Sequence, residues 1–162
     1  MIVIALIATA LGAMALPISK ALKGEHFASG VDAVIGKITL AQALMLDFHT
    51  DVRLNLKLDE GKIDCRIDTG IPLPLHIAKA INHRSKIAGI TEMAFDDQVK
   101  NDIEICFEGS LGSMSKGTLS LMGPGLEEKI VLLGYPGQIR RGNHVQARSC
   151  SAAYPEEILS PL

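Results

Sequence analysis

Histidine and cysteine are among the side chains of this chain that could bind a metal ion or act as a nucleophile. The five histidines are scattered along the chain and show neither the HxH nor the HExxH spacing that brings two imidazoles to one metal ion. The three cysteines, Cys65, Cys106 and Cys150, form no CxxC pair and are too few for a disulfide framework. Two interpretations stay open: three buried thiols, or one disulfide, with Cys65 and Cys106 as a possible pair, and one free thiol. The pattern predicts no metal site and no cofactor site.

A single Asp-Thr-Gly motif, formed by Asp68, Thr69 and Gly70, follows an apolar strand pattern. In aspartic proteases two such aspartates share one proton, because like charges ~3 Å apart cannot both ionise. One copy would require a homodimer, with the segment 130–134 (IVLLG) as its apolar element. Arg66 and Pro72 depart from the residues usual around that motif, and Asp-Thr-Gly is also a common strand-ending turn. The turn is the preferred interpretation, and a membrane-tethered aspartic protease using Asp68 is the enzymatic alternative.

Composition excludes several other functions. The net charge is −2 and the pI is near 6.2, so the basic surface that nucleic acid requires is missing. Aromatic residues make up only 4 % of the chain and tryptophan is absent, which argues against base-stacking and sugar-binding surfaces. We therefore expect no nucleic-acid partner.

The opening stretch is the strongest signal in the sequence. Residues 1–19 carry no charged side chain, and as a helix they would span roughly 28 Å, close to the hydrocarbon thickness of a bilayer. No basic residue precedes the stretch, whereas a secretory signal peptide needs one. We interpret it as a retained membrane and assembly helix; a cleaved signal with a mature N-terminus near Leu16 is the alternative. The residues assigned to this helix are Met1, Ile2, Ile4, Leu6, Ile7, Leu11 and Pro17.

A helical period continues after Pro17. Apolar residues recur at spacings of three and four through residues 20–51, which is typical of a helix with one buried face. The predicted buried face is made by Ile18, Leu22, Val31, Val34, Ile35, Ile38, Ala41, Leu44, Met45, Phe48 and Val52. The sequence therefore predicts one long, bent helix over 1–51, apolar all round in its first part and amphipathic in its second.

After residue 51 the period changes to alternation, which is typical of half-buried strands. Segments 52–58 and 62–68 flank an Asp-Glu-Gly turn and predict a β-hairpin, with Ile63, Cys65 and Ile67 facing inward. A short helix is predicted over 76–84, and further strands over 87–95, 103–107, 118–122, 129–133 and 138–140. The predicted fold is α+β, a long N-terminal helix packed on a small antiparallel domain. Its parts are 1–19 (membrane), 20–51 (amphipathic helix), 52–142 (β-rich domain) and 143–162 (irregular tail).

These patterns resemble a known family. The opening MIVIALI, Pro17 near its end, the amphipathic continuation and the small antiparallel sheet look like a type IV pilin-like protein. The later segments Glu108-Gly109, 117–121 (GTLSL), 130–133 (IVLL) and 137–140 (GQIR) are similar to the C-terminal hairpins of GspH/FimT-type minor pseudopilins of type II secretion systems. The resemblance covers most of the chain and is carried by hydrophobic patterns and glycines.

The resemblance implies a non-enzymatic subunit of the bacterial inner membrane, single-pass, with its soluble domain in the periplasm. Its partners would be other pseudopilins, contacted through the N-terminal helix and the β domain, the inner-membrane assembly platform and the lipid bilayer. Members of the family begin with a basic leader, a Gly-Phe cleavage site and a glutamate, and their N-terminus is methylated. None of these features is in residues 1–162, and Met1 falls where the residue after that glutamate would stand. Two interpretations stay open: the features lie upstream of Met1, or the resemblance misleads.

Overall fold

The computed structural model describes residues 2–81, 86–134 and 138–142, and the side chains of the first helix from Leu22 onward. It is an α+β fold in which one long N-terminal helix packs on two antiparallel sheets, so the predicted class is confirmed. Helix α1 spans Ile2–Phe48 and helix α2 spans Leu75–Ile81. The predicted tail, 143–162, lies outside the described residues.

Helix α1 buries one face from Phe27 onward. The predicted three-and-four spacing is confirmed between residues 31 and 45, and Phe27 joins it one turn earlier. The prediction for Leu22 is wrong, because this side chain is 50 % exposed and lies before the helix reaches the sheets. The side chain of Ile18 lies outside the description. The buried residues of this face are Phe27, Val31, Val34, Ile38, Ala41, Leu44 and Met45.

The strands form two five-stranded sheets. Their bounds are β1 (Val52–Asp59), β2 (Lys62–Thr69), β3 (Lys86–Ala88), β4 (Glu92–Phe95), β5 (Gln98–Val99), β6 (Asp102–Glu108), β7 (Ser113–Met114), β8 (Gly117–Gly123), β9 (Leu126–Leu132) and β10 (Ile139–Arg141). Sheet A has the order β3-β2-β1-β6-β7, and sheet B has the order β10-β9-β8-β4-β5.

The predicted β-hairpin is confirmed as β1 and β2, which pair from Val52 with Thr69 to Asp59 with Lys62. Glu60 and Gly61 form its two-residue loop and both have positive φ, at 48° and 71°. Two central residues of positive φ match the right-handed twist of the flanking strands. The loop therefore fixes the register and places alternate residues of β2 in the core.

The predicted strand 87–95 is wrong as a single strand, because the chain changes sheets within it. Strand β3 pairs with β2 in sheet A, and β4 pairs with β8 in sheet B. Gly89 stands between them with φ of 94°, and a Cβ added there would lie 2.5 Å from the carbonyl oxygen of His26 on α1. Only glycine tolerates both the backbone conformation and this approach. The crossing therefore follows from contact with the helix.

The remaining elements agree with the sequence to within a few residues. The short helix begins one residue earlier than predicted, at Leu75, and 82–85 lie outside the described residues. Strands β6, β8, β9 and β10 correspond to four predicted segments. The two-residue strands β5 and β7 were not predicted, because two residues carry no period.

The core is one cluster between α1 and the inner faces of the sheets. In sheet A the inner face is formed by alternate residues such as Leu54, Leu56, Ile63, Ile103 and Ile105, each at most 3 % exposed. The residues between them form the outer face of sheet A, which is polar. Each strand of this sheet therefore presents two chemically different sides.

Candidate assembly helix

Helix α1 has two parts of different chemistry. No charged residue occurs before Lys20, whereas the part that packs on the β domain begins at Phe27. The 25 helical residues that precede Phe27 correspond to about 38 Å of helix. The assembly residues predicted from the sequence belong to this part: the helix includes Ile2, Ile4, Leu6, Ile7, Leu11 and Pro17. Their side chains, and Met1, lie outside the description.

Close backbone contacts dock α1 where it first reaches the β domain. A Cβ added at Gly30 would lie 2.6 Å from the carbonyl oxygen of Ala88 at the end of β3. Gly89 lies against His26, and the ring of Phe27 lies against Gly123 at the end of β8. Because Gly30 and Gly89 lack side chains, the backbones of the helix and of residues 88–89 come into direct contact, and the missing side chain of Gly123 makes room for the ring of Phe27 on sheet B. No pattern in the sequence indicated that these glycines lie at contacts between the helix and the sheets.

The other end of α1 is held by the turn after β6. His49 has φ of 47°, so the chain leaves the helix in the left-handed region that commonly ends helices. The backbone N–H of Gly109 donates to Oδ1 of Asp51 at 3.0 Å, and Gly109 lies against the backbone of Thr50. The packed half of α1 is thus anchored at both ends.

A double ion pair joins α1 to sheet B. Arg141 of β10 donates from Nε to Oε1 of Glu128 at 2.7 Å and from Nη2 to Oδ1 of Asp32 at 2.8 Å. The hydrogen bond to Glu128 raises the pKa of Arg141 above its ordinary value; desolvation opposes this rise, and the bond to Asp32 adds to it. No local pattern in the sequence indicated these partners.

The structure does not bring Cys65 and Cys106 together, and both are free thiols. Cys65 lies on the inner face of β2, opposite Leu56, whereas Cys106 lies on the outer face of β6, opposite Arg53. They project to opposite sides of sheet A with β1 between them, so the possible disulfide does not form in this fold. The inward direction predicted for Cys65 is confirmed, and Cys150 lies outside the described residues.

Burial separates the two thiols chemically. Desolvation raises the pKa of Cys65 to about 11, and the nearby Lys37 only partly offsets it. The pKa of Cys106 is also raised, by partial desolvation and then by the charge of Glu104. Neither thiol therefore has the lowered pKa of a reactive cysteine.

Asp68 is a member of strand β2 rather than part of a turn. Its carboxylate accepts hydrogen bonds from Nε of Arg66 at 2.9 Å and from Nδ2 of Asn55 at 3.3 Å. The strand ends at this motif, as predicted, because Thr69 is the last residue of β2. Asp68 and Thr69 nevertheless continue the ladder, and Gly70 is not among the residues of positive φ. The segment 130–134, proposed as the partner element of a protease, belongs mainly to β9 in the other sheet.

The outer face of sheet A carries a polar cavity that the sequence did not indicate. It has a volume of about 720 Å³ and is lined by the outer-face residues Asn55, Lys57, Asp64, Arg66 and Asp102, together with Ile81 and with Cys65, whose side chain faces the core. In register, Lys57 stands between Asp64 and Asp102 on the flanking strands. Within the described ranges no three histidine, cysteine or acidic side chains are placed to hold a metal ion. His83 and His144 lie outside those ranges.

No protein-family model, curated protein or solved structure matches this chain. Among the residues that the structure describes, no helix is both long and apolar enough to cross a membrane.

Proposed function

We propose that this chain is a non-enzymatic assembly subunit of the pilin-like class, held in the bacterial inner membrane by residues 1–19 with its β domain in the periplasm. More narrowly, we infer a minor pseudopilin of the GspH/FimT type in a type II secretion system. Its partners are then other pseudopilins, the inner-membrane assembly platform and the lipid bilayer.

One observation carries the proposal: a single helix, α1, is uncharged in its first part and packed on a small antiparallel domain in its second. The membrane step rests on the sequence of residues 1–19 alone. Small residues in that stretch, such as Ala5, Ala8 and Gly12, allow neighbouring helices to approach closely. An apolar helix can therefore exchange lipid for helix neighbours at little hydrophobic cost.

The surroundings of Asp68 favour this proposal over the protease alternative. A shared-proton dyad requires two aspartates whose carboxylates approach each other. Here the carboxylate of Asp68 is bonded to Arg66 and Asn55 on the outer face of a sheet. Its contacts suit a structural role in the strand.

Membrane attachment is tested with the full chain expressed in bacteria. We expect it to sediment with membranes, to resist extraction by alkaline carbonate and to dissolve only in detergent. Leu11→Glu places a charge near the middle of the apolar stretch, at a cost of about 3 kcal/mol at the bilayer centre, and should move the protein to the soluble fraction. Leu46→Glu is the matched control, because Leu46 is on the same helix and 51 % exposed. A freely soluble unmodified chain would overturn the proposal.

Assembly is tested by photo-crosslinking in intact cells. A crosslinkable amino acid at Ala8 should give adducts between pilin-like subunits, whereas the same group at the exposed Ala43 should not. Disruption of the gene should stop export of the secreted proteins of its host, and the full chain but not Leu11→Glu should restore it. Membrane attachment without adducts or an export defect would leave an anchored protein outside this class.

A further inference from the structure

The ion pairs of Arg141 connect three elements that are distant in sequence. Arg141 ends β10, Glu128 lies on β9, and Asp32 lies on α1, 109 positions from Arg141. Both contacts are short charge-assisted hydrogen bonds, at 2.7 and 2.8 Å. We name these three residues the Arg141 latch.

The two branches of the latch differ in burial. The side chain of Glu128 is 3 % exposed, whereas that of Asp32 is 65 % exposed. Removing the arginine would leave a buried carboxylate without this partner, which is strongly destabilising. The branch to Asp32 is exposed to solvent, where an ion pair adds little to global stability. The bond to Glu128 therefore holds the guanidinium of Arg141 in place on sheet B. The bond to Asp32 then fixes helix α1 relative to that guanidinium.

The latch lies close to the point where α1 leaves the β domain. Toward the N-terminus from Phe27, the described side chains of α1 are mainly exposed, Leu22 and Lys23 among them. A groove of about 240 Å³ lies between α1 and sheet B and is lined by Gly24, Phe27, Ala28, Val31, Leu126, Glu128 and Arg141. On the groove side the helix is thus incompletely packed, and Arg141 reaches it from the sheet.

We propose that Arg141 is a positioning residue that sets the direction in which the uncharged segment of α1 leaves the β domain. The backbone contact of His26 with Gly89 holds the helix on one side, and the latch holds it on the other. The inference rests on the proposed function, because a subunit that enters a fibre through its helix needs that helix at a fixed angle to its domain. The signature is local, at residues 22–35, and not a large change in global stability.

The decisive variant is Asp32→Asn, because it removes the negative charge of the helix branch and leaves Glu128 with its arginine. In the full chain in detergent, we expect amide exchange in 22–35 to become roughly threefold faster, since an exposed ion pair contributes little more than this. Glu25→Gln is the matched control, an exposed acidic residue one to two turns away on the same helix, and should leave exchange unchanged.

Helix direction is measured by spin labels attached through unnatural amino acids at positions 10 and 100, which avoids the native thiols. The distance distribution should broaden in Asp32→Asn and keep its width in Glu25→Gln. Arg141→Lys should behave as Asp32→Asn does, because an ammonium is a point charge and cannot hold both carboxylates as the guanidinium fork does. Arg140→Met, a change to the exposed neighbour on β10, is the control for the strand itself.

Unchanged exchange together with an unchanged distance distribution in Asp32→Asn would overturn the inference. Equal effects of Asp32→Asn and Glu25→Gln would overturn it too, since loss of any acidic residue would then suffice. These measurements use the single chain and do not depend on fibre formation. If the exchange and distance measurements give the expected results but the chain forms no crosslinked adducts, the proposed function is wrong. The role of Arg141 in coupling β10 to α1 would still stand.

Discussion

The two faces of sheet A use the same strands for opposite purposes. On the inner face, Leu54, Leu56 and Ile105 are fully buried against the core. On the outer face, Lys57, Arg66 and Asp68 alternate with them and stay in contact with solvent. Because side chains of a strand alternate strictly, a one-residue shift in register would exchange the two sets. Stability is therefore concentrated on the inner face, whereas the charged side chains lie on the outer face, where they contribute little to stability.

The largest expected effect is a difference in stability between substitutions at two neighbouring positions of β1, one on each face. Leu56→Ala removes a fully buried side chain and should lower the free energy of unfolding by about 2–5 kcal/mol. Lys57→Ala, one residue along on the exposed face, should change it by no more than about 0.5 kcal/mol. Urea unfolding of the two variants measures this. Similar losses in both would contradict the assignment of faces.

The next effect concerns the point where the chain passes from sheet A to sheet B. Gly89→Ala should cost about 2–4 kcal/mol, because alanine is strained at φ of 94° and its Cβ would press on His26. Gly24→Ala is the control: a Cβ there meets nothing within 4 Å, so alanine should stabilise the helix by up to about 1 kcal/mol. Thermal unfolding of both variants is the measurement. If Gly89→Ala left the stability unchanged, the close contact between Gly89 and His26 would be refuted.

The two faces also differ in how their cysteines make stability depend on pH. The pKa of Cys65 is about 11 in the folded chain against an ordinary value of 9.0, so the folded state keeps a proton that the unfolded state loses. Stability from this group is complete below pH 9 and is lost as pH rises to 11, by about 2–3 kcal/mol. Cys65→Ala should remove this part of the alkaline loss, whereas Cys106→Ala should leave most of it. Unfolding curves between pH 8 and 11 are the measurement, and identical slopes in both variants would disprove the burial difference.

The smallest expected effect lies on the outer face. Asp68→Asn breaks an ion pair whose side chains are 72 % and 44 % exposed, so it should cost less than about 1 kcal/mol. Any peptidase activity of the purified chain that is inhibited by pepstatin and vanishes in this variant would favour the protease alternative over a structural role. We expect no such activity before or after the substitution.

Much of this architecture follows from local pattern. The Asp-Glu-Gly turn between two alternating segments was sufficient to predict the hairpin of β1 and β2, and the three-and-four spacing was sufficient to predict the packed half of α1. The alternation also predicts to which side of the sheet each cysteine projects. Cys65 is in phase with Ile63 and Ile67, whereas Cys106 is out of phase with Ile105 and Phe107, so phase alone argues against their pairing.

Other features had no local signal. The segment 87–95 reads as one strand, and only the contact between Gly89 and His26 shows why it divides between two sheets. The Arg141 latch joins residues 109 positions apart. The sequence does not distinguish Arg141 from its neighbour Arg140, which is also an arginine. The position of Leu22 depends on how far the β domain reaches along α1, which a helical period does not state.

The sequence by itself determined the period of each segment, the turn of the first hairpin and the uncharged character of residues 1–19, because these depend on side chains that are neighbours along the chain. The tertiary structure alone decided where the helix meets the sheets, which strand belongs to which sheet and which carboxylates Arg141 binds. Those contacts depend on backbones that approach within a few ångströms across long separations in sequence. Their geometry exists only once both sheets have packed against the helix.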